Sequence, residues 1–379
     1  MIAKDDLRLL MHHQAPKESG VLSVYLNVDQ GQAKNLNREF ELPWRNGLRA
    51  LERRVGNGPQ HTALAANAGR VGAFLRDYQP QQKTLVVFAD VDQDFFWHTH
   101  LPISIASTVQ WGPLPYLRPL LEASDEYARY GVALADRKRG RIFDVYLNHI
   151  ACVAECEAEL PVQRSDTSGK DDHASQMNFQ RSADEHAKKH LKNVVEHLRR
   201  CDKERSFGRI ILAGPTAALA ELQRLLPHPL QNKLIATTAL SLDAPENRVL
   251  EESQRIEAEH ERASETVLVE DLITTSAKSG KATTGLEPTL RAAAEGRVRK
   301  LLYSDGLEVH GATCDREMLT GPEVDYASLL GGAIREDEDV IERIAVKTAR
   351  DGGSIELLRG DAATRLQEEA GGIGAFLRY

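Results

Sequence analysis

Apolar positions along the chain recur at two different spacings, and the switches between them mark out its elements. "GVLSVYLNVD" (Gly20–Asp29) alternates, is rich in β-branched and aromatic side chains, and predicts a strand. Leu48, Leu51 and Val55, then Ala63, Ala66, Val71 and Leu75, recur at helical steps and predict helices over 36–55 and 62–78. "TLVVFAD" (Thr84–Asp90) is a continuous apolar run that predicts a buried strand, and "DFFWHTHLP" continues as a second after a turn. "WGPLPYLRPLLEASDEYARYG" carries three prolines and then turns helical. This first block reads as mixed α/β.

A second block opens near Tyr130. "GVALADRKRGRIFDVYLNHIACVAECEAEL" reads as consecutive antiparallel strands, with turns at Arg137–Gly140 and Asn148. A polar stretch over 163–178 is expected to be a loop. A helix is expected from about Phe179 to Cys201. Its stripe is Phe179, Ala183, Ala187, Leu191, Val194, Leu198 and Cys201, with Asp184–Lys188 and Glu185–Lys189 as pairs four apart. "FGRIILAGP" predicts a buried strand, "TAALAELQRLLP" a helix and "LIATTALSL" another strand. The charged stretch from Pro245 to Gly280 predicts a long connecting helix.

The third block begins near Thr266. The helix "GLEPTLRAAAEGRV", the strand "KLLYSDG", the helix "DEDVIERIAVKTARDGG" and the strands "SIELLRGD" and "IGAFLRY" suggest an α/β/α sandwich. The segment 308–335 shows no clear period. The expected architecture is α/β in three domains: an N-terminal α/β domain over 1–128, a central domain with a long loop before a helix over 129–262, and a C-terminal α/β/α domain over 263–379.

Composition narrows the class. The chain has 379 residues, 41% apolar and 27% charged, as soluble globular proteins have. Its net charge of −8 argues against a protein that coats nucleic acid nonspecifically, while leaving room for a local basic surface. Cys152 and Cys156 on a strand share a face roughly 13 Å apart, too far for a disulfide. There is no CxxC pair, no apolar segment of signal-peptide type and no membrane-spanning run. These features predict a reduced, cytoplasmic protein with no membrane association.

Few motifs carry chemistry. Gly280–Lys281 lacks the P-loop's upstream Gly, since Thr275 stands there, and Ala282 stands where Ser or Thr is needed; a loop before a helix is expected instead. "GGIGAF" has no third Gly and no helix after it to receive a pyrophosphate, so its glycines are expected to shape a turn before a terminal strand. His186 and His190 lie one turn apart, but Ala187 follows where a zincin has Glu, which leaves a solvated helix face. Basic clusters stand out in this acidic chain: "DRKRGR" (Asp136–Arg141), "KKHLK" (Lys188–Lys192), "RRCDKER" (Arg199–Arg205) and "RVRK" (Arg297–Lys300). Two of them lie on the helix behind the polar stretch, which makes it a candidate phosphate-facing element.

Several segments together resemble a known family. "VLSVYLNVD", "GPLPYLRPLLEASDEYARYGVALADRKRGRIFDVYLN", "SQMNFQRSADEHAKKHLKNVVEHL", "GLEPTLRAAAEGRVRKLLYSDG" and the terminal "GGIGAFLRY" are similar to the bacterial relatives of the archaeo-eukaryotic class-I release factors and pelota-type rescue factors. The likeness runs over almost the whole chain. In that family a central loop enters the ribosomal peptidyl-transferase centre, where a Gln helps water attack the ester joining peptide to tRNA. A polar group placed at the developing oxyanion is worth roughly 10²–10³ in rate.

The resemblance implies roles for particular residues. Gln176 would orient water, Ser175 and His173 would support the loop, and Lys188, Lys189, Lys192, Arg199 and Arg200 would contact rRNA or tRNA phosphates. It implies the ribosome as partner, through rRNA and peptidyl-tRNA, raises a translational GTPase as a delivery partner, and calls for no cofactor. The sequence departs from the pattern in having no Gly-Gly-Gln. His173-Ala174-Ser175-Gln176 occupies the matching position, and the nearest upstream glycine is Gly169. No NIKS-like tetrapeptide supports codon reading, and Cys314 stands alone where some relatives carry cysteine pairs, so no metal is expected. Two other readings stand beside hydrolysis: a non-catalytic hibernation factor of the same family, which suits the missing glycines, and an RNA-binding protein or nuclease unrelated to ribosomes.

Overall fold

The computed structural model describes residues 4–16, 18–158, 172–278, 280–314, 319–320, 334–337 and 339–379. The chain divides into two compact units, one of Met1–Glu126 with Arg262–Tyr379 and one of Tyr127–Glu261.

The first unit opens with α1 (Lys4–His12), β1 (Val21–Asn27), α2 (Ala33–Leu36), α3 (Glu41–Val55) and α4 (Pro59–Arg76), followed by β2 (Thr84–Asp90), β3 (Phe95–Leu101), β4 (Thr108–Gly112) and α5 (Arg118–Glu126). The strands form an antiparallel sheet in the order β3-β2-β1-β4. Leu22, Val24, Leu26, Leu85, Val87 and Val109 line one face, against Trp44 and Leu51 of α3 and Leu64, Val71 and Leu75 of α4. The single helix expected over 36–55 is broken, because Arg38 takes a left-handed backbone conformation (φ 59°) that ends α2 before α3 begins.

The second unit contains β5 (Tyr130–Ala135), β6 (Arg139–Tyr146), β7 (His149–Glu157), α6 (Asp172–Arg205), β8 (Arg209–Ala213), α7 (Thr216–Leu225), α8 (His228–Gln231), β9 (Leu234–Thr238) and the first half of α9 (Glu246–Lys278). The sheet order is β7-β6-β5-β8-β9; β5, β6 and β7 pair antiparallel, and β5, β8 and β9 pair parallel. The β6–β7 turn falls on Leu147 and Asn148, both at positive φ (50° and 60°), the primed geometry that suits the twist of a two-residue hairpin. One face of the sheet (Ala133, Ala135, Ile142, Ile210, Leu212) packs on α6 and α7; the other (Val132, Leu134, Phe143, Val145, Ile211) packs on Val249 and Ile256 of α9.

Cys152 and Cys156 do not share a face. The β6–β7 register shifts, so that Phe143 opposes Cys152 while Ile142 opposes Ala154, which leaves Val153 as the extra residue of a bulge. Cys152 therefore packs with the α9 layer, and Val153, Ala154 and Cys156 with the α6 layer. Strict alternation cannot anticipate an inserted residue.

The first unit resumes in the second half of α9 and continues through β10 (Ala282–Thr284), α10 (Leu286–Ala294), β11 (Val298–Ser304), β12 (Gly311–Cys314), β13 (Leu319–Thr320), β14 (Ile334–Asp337), α11 (Val340–Arg350), β15 (Ser354–Leu358), α12 (Gly360–Ala370) and β16 (Ile373–Leu377). One sheet runs β10-β16-β11-β15, and a small one runs β13-β12-β14. Leu302, Leu358 and Phe376 of the larger sheet pack with Val269 and Leu272 of α9 and with Ala362, Leu366 and Ala370 of α12. Helices α10 and α11 meet the same strands from outside that cluster, which completes an α/β/α layering. Residues 282–284, expected as loop, form β10 against β16; three residues are too few to show a period. Gly371 and Gly372 have φ of 63° and 81°, so they turn the chain from α12 into β16 where a side chain would be strained.

Within this unit α5 meets α11, β11 and β15 through polar groups. Arg118, only 5% exposed, donates to Asp339 (2.6 Å) and Glu122 (2.7 Å) and lies over the Tyr303 ring. The Leu117 N–H donates to Glu342 (3.3 Å), the Tyr303 hydroxyl to Glu122 (3.2 Å) and the Leu357 N–H to Asp125 (2.9 Å). Burial opposes the charge on Arg118, but Asp339 and Glu122 outweigh it and hold its pKa above the ordinary arginine value.

Candidate functional site

Helix α6 is the element on which the sequence places the candidate residues, and its 34 residues span about 51 Å. It begins at Asp172, although the sequence suggested a polar loop as far as 178. The reason is local: from Lys170 to Phe207 there is no Gly or Pro, and Asp171 and Asp172 place negative charge where a helix N-terminus favours it. Polar residues here build a helix rather than a loop.

His173, Ser175 and Gln176 therefore lie on helical backbone in the first two turns of α6, and their side chains are outside the described residues. Residues 159–171, with Gly169, are also outside them. In an α-helical ladder the N–H of Gln176 is directed at the Asp172 carbonyl.

The body of α6 is anchored along one stripe. Ala187, Leu191, Val194, Leu198 and Cys201 are buried against the sheet and α7, as the helical spacing predicts; Phe179 and Ala183 of the same stripe fall among the undescribed side chains. Ion pairs add to this along its described length. Asp184 pairs with Arg137 of the β5–β6 turn rather than with Lys188 along the helix, Asp202 with Lys233 (2.8 Å), and Arg205 with the buried Asp144 (3.0 Å).

Lys188, Lys189, Lys192, Arg199 and Arg200 are all exposed on the side away from the buried stripe. Lys188, Lys192 and Arg199 follow one line along the helix, and Lys189 and Arg200 a second beside it. The face is not uniformly cationic, since Glu185 and Glu196 share it and Arg199 pairs with Glu196 (2.8 Å). The Arg200 guanidinium lies 2.8 Å from Nδ1 of His197, whose pKa is pushed down first by burial and then by that arginine. Across on α7, the Glu221 carboxyl is held below its ordinary value, mainly by the hydrogen bond from Arg224 and also by Lys188 and Lys192.

His190 does not sit on a solvated face. It is 4% exposed, and neither ring nitrogen has a hydrogen-bond partner among the described residues. It precedes Leu191 on the inward side, a position that charged neighbours disguise in the sequence. No group of three or more His, Cys, Asp or Glu side chains converges to hold a metal among the described residues.

The arrangement is thus a long anchored helix with a basic outer face and an N-terminal end carrying Gln176. Residues 115–258, which include the whole central sheet and α6, match the model of a family described as bacterial archaeo-eukaryotic release factor family 10. The central region is release-factor-like. No curated protein matches the chain. Solved structures similar to it include an archaeal translation termination factor, aRF1, at 16% identity over 100% of this chain and 99% of that one, with a TM-score of 0.28. Dom34 of S. cerevisiae, a translation termination-like factor, is 11% identical over 78% of this chain and 79% of that one, with a TM-score of 0.44. Archaeal Pelota in a ribosome-bound model with ABCE1 is 12% identical over 99% of this chain and 94% of that one, with a TM-score of 0.42. No described helix is long and apolar enough to cross a membrane.

One feature of the release-factor-like region was not legible beforehand. The sequence shows "DRKRGR" and "KKHLK" as separate clusters, and the Arg137–Asp184 pair joins them across 47 residues. Nothing in either segment signals the other.

Proposed function

We propose that the chain is a ribosome-associated translation factor. The basic face of α6, through Lys188, Lys189, Lys192, Arg199 and Arg200, meets phosphates of rRNA and peptidyl-tRNA. The N-terminal end of the helix meets the ester between peptide and tRNA, where the Gln176 amide orients water and Ser175 and His173 support it. The protein acts in the cytoplasm, and a translational GTPase is the delivery partner to test. The family match that spans α6 carries this reading.

A second reading is a non-catalytic occupant of the same centre, a hibernation factor. The start of α6 at Asp172 favours it, because Gln176 then sits on regular helix with no glycine beside it to bring a backbone N–H to the ester.

Ribosomes carrying peptidyl-tRNA in the P site decide between the two. Peptide release that disappears in Gln176→Ala is expected for hydrolysis. Tight co-sedimentation without release establishes the occupant, and absence of co-sedimentation removes both.

A further inference from the structure

We infer that the tip of the β5–β6 hairpin and the N-terminal half of α6 form one surface for the RNA backbone, built from Arg137, Lys138, Arg139, Lys188 and Lys192. This rests on the reading of the chain as an RNA-facing factor and adds three residues and a location to it.

The hairpin tip is preorganised. The Asp136 carboxylate accepts from the N–H groups of Lys138 and Arg139, both at 2.7 Å, and the Asp136 N–H donates to the Arg139 carbonyl at 2.9 Å. The hairpin is also pressed against α6. A Cβ on Gly140 would come within 2.7 Å of Val194 and 3.0 Å of the Cys156 sulfur, so the strand backbone lies directly on the helix. At the other end of the contact Arg137 pairs with Asp184, one turn before Lys188. The two basic segments thus hold fixed positions side by side, and little ordering remains for a ligand to impose.

Among the described residues the cations on this surface keep free capacity, with the Glu221 carboxylate of α7 facing Lys188 and Lys192. The side chains of Arg137 and Arg139 are 55% and 48% exposed. Each gives one terminal nitrogen to a carboxylate, Arg137 to Asp184 and Arg139 to Asp243 (2.9 Å), and a guanidinium has five N–H donors. Lys138 is exposed and its ammonium has no partner among the described residues. Lys188 and Lys192 are exposed one turn apart on the adjoining helix. Side chains tied through one donor and open through the rest suit a repeating anion with several acceptor oxygens per unit, which the RNA backbone supplies. The chain's net charge of −8 confines such attraction to local surfaces.

The test uses the full chain and a fluorescein-labelled uridylate oligonucleotide, titrated between roughly 50 and 200 mM salt. The triple variant Arg137→Ser, Lys138→Ser, Arg139→Ser should bind about tenfold more weakly at the low-salt end. Its slope of log affinity against log salt should be shallower by about 2, from about 0.7 for each phosphate contact on a single strand. Lys188→Ser with Lys192→Ser should lower the slope by about 1.4. Arg255→Ser, on α9 at the opposite sheet face, serves as the charge control and should stay within about twofold.

Unchanged affinity and slope in a triple variant with wild-type circular dichroism would overturn the inference. So would an equal loss in Arg255→Ser, or binding to phosphatidylserine vesicles with the same dependence on the tip. Because the oligonucleotide assay contains no ribosome, the two readings fail separately. Tip-dependent RNA binding without ribosome co-sedimentation removes the translation-factor reading and keeps this surface. Ribosome binding that ignores the tip removes this surface and keeps that reading.

Discussion

The central sheet and the α5 junction are held by opposite means. In the central unit two apolar layers enclose the strands, α6 and α7 on one face and α9 on the other, and the ion pairs of Arg205 with Asp144 and of Arg209 with Glu257 and Glu261 stand beside them. Where α5 meets α11, β11 and β15, a buried guanidinium answers Asp339 and Glu122, and Glu342 and Asp125 accept from backbone N–H groups. Loss from an apolar layer costs the transfer and cavity terms of that one site and leaves no charge behind. A buried ionic junction depends on every partner, since removing one leaves the others charged and unsolvated. The first design leaves its mark on the sequence as a period. The second leaves none.

Substitutions separate the two designs. Arg118→Met should have the largest effect, about 3–5 kcal/mol in denaturant unfolding, because Asp339 and Glu122 lose their cation. Adding Asp339→Asn and Glu122→Gln should recover part of it; a single Arg118→Met cost below about 1 kcal/mol would show that the junction is not ionic in the sense argued. Leu198→Ala, buried beneath α6, should cost about 3 kcal/mol and leave the first unit's amide-exchange pattern unchanged. Gly140→Val should cost about 2 kcal/mol, since the added carbons meet Val194 and Cys156 in a packed layer; a neutral result would mean that α6 can lift off the hairpin.

The smallest effect concerns pH. Burial pushes the Tyr130 phenol up to about 12, against a hydrogen-bonding contribution from Ser253 that lowers it. A raised phenol pKa means that the folded state keeps a proton the unfolded state has released. Its stabilisation is complete below about pH 10 and is lost as pH rises through about 12. Denaturation midpoints should therefore fall less steeply between about pH 10 and about pH 12 in Tyr130→Phe than in the wild type. Parallel curves would show that the central unit's alkaline weakness lies elsewhere.

The same contrast explains what the sequence discloses. Strand β2 has the bounds its apolar run suggests, and the buried stripe of α6 follows its spacing through Cys201. The pairing of Arg118 with Asp339 could not be read, since the two lie 221 residues apart and neither has a distinctive neighbourhood. His190 looked solvated because its neighbours are lysines, and α6 began early because polar residues are good helix formers when no Gly or Pro intervenes. At the candidate site the sequence supplied the helix and its cations. The junction with the hairpin needed the fold, because an ion pair between distant segments has no local signature.

The bulge at Val153 bears on solubility. Strand β7 forms one rim of the central sheet and runs for nine residues, long enough to present a row of unpaired N–H and C=O groups to a strand of another molecule. The extra residue breaks that row near its middle and twists the strand, so a second chain cannot extend the ladder past it in register. Removing Val153 would straighten the rim and turn the residues on one side of the bulge to the opposite face. One inserted residue thus interrupts the ladder that this rim offers to a further strand.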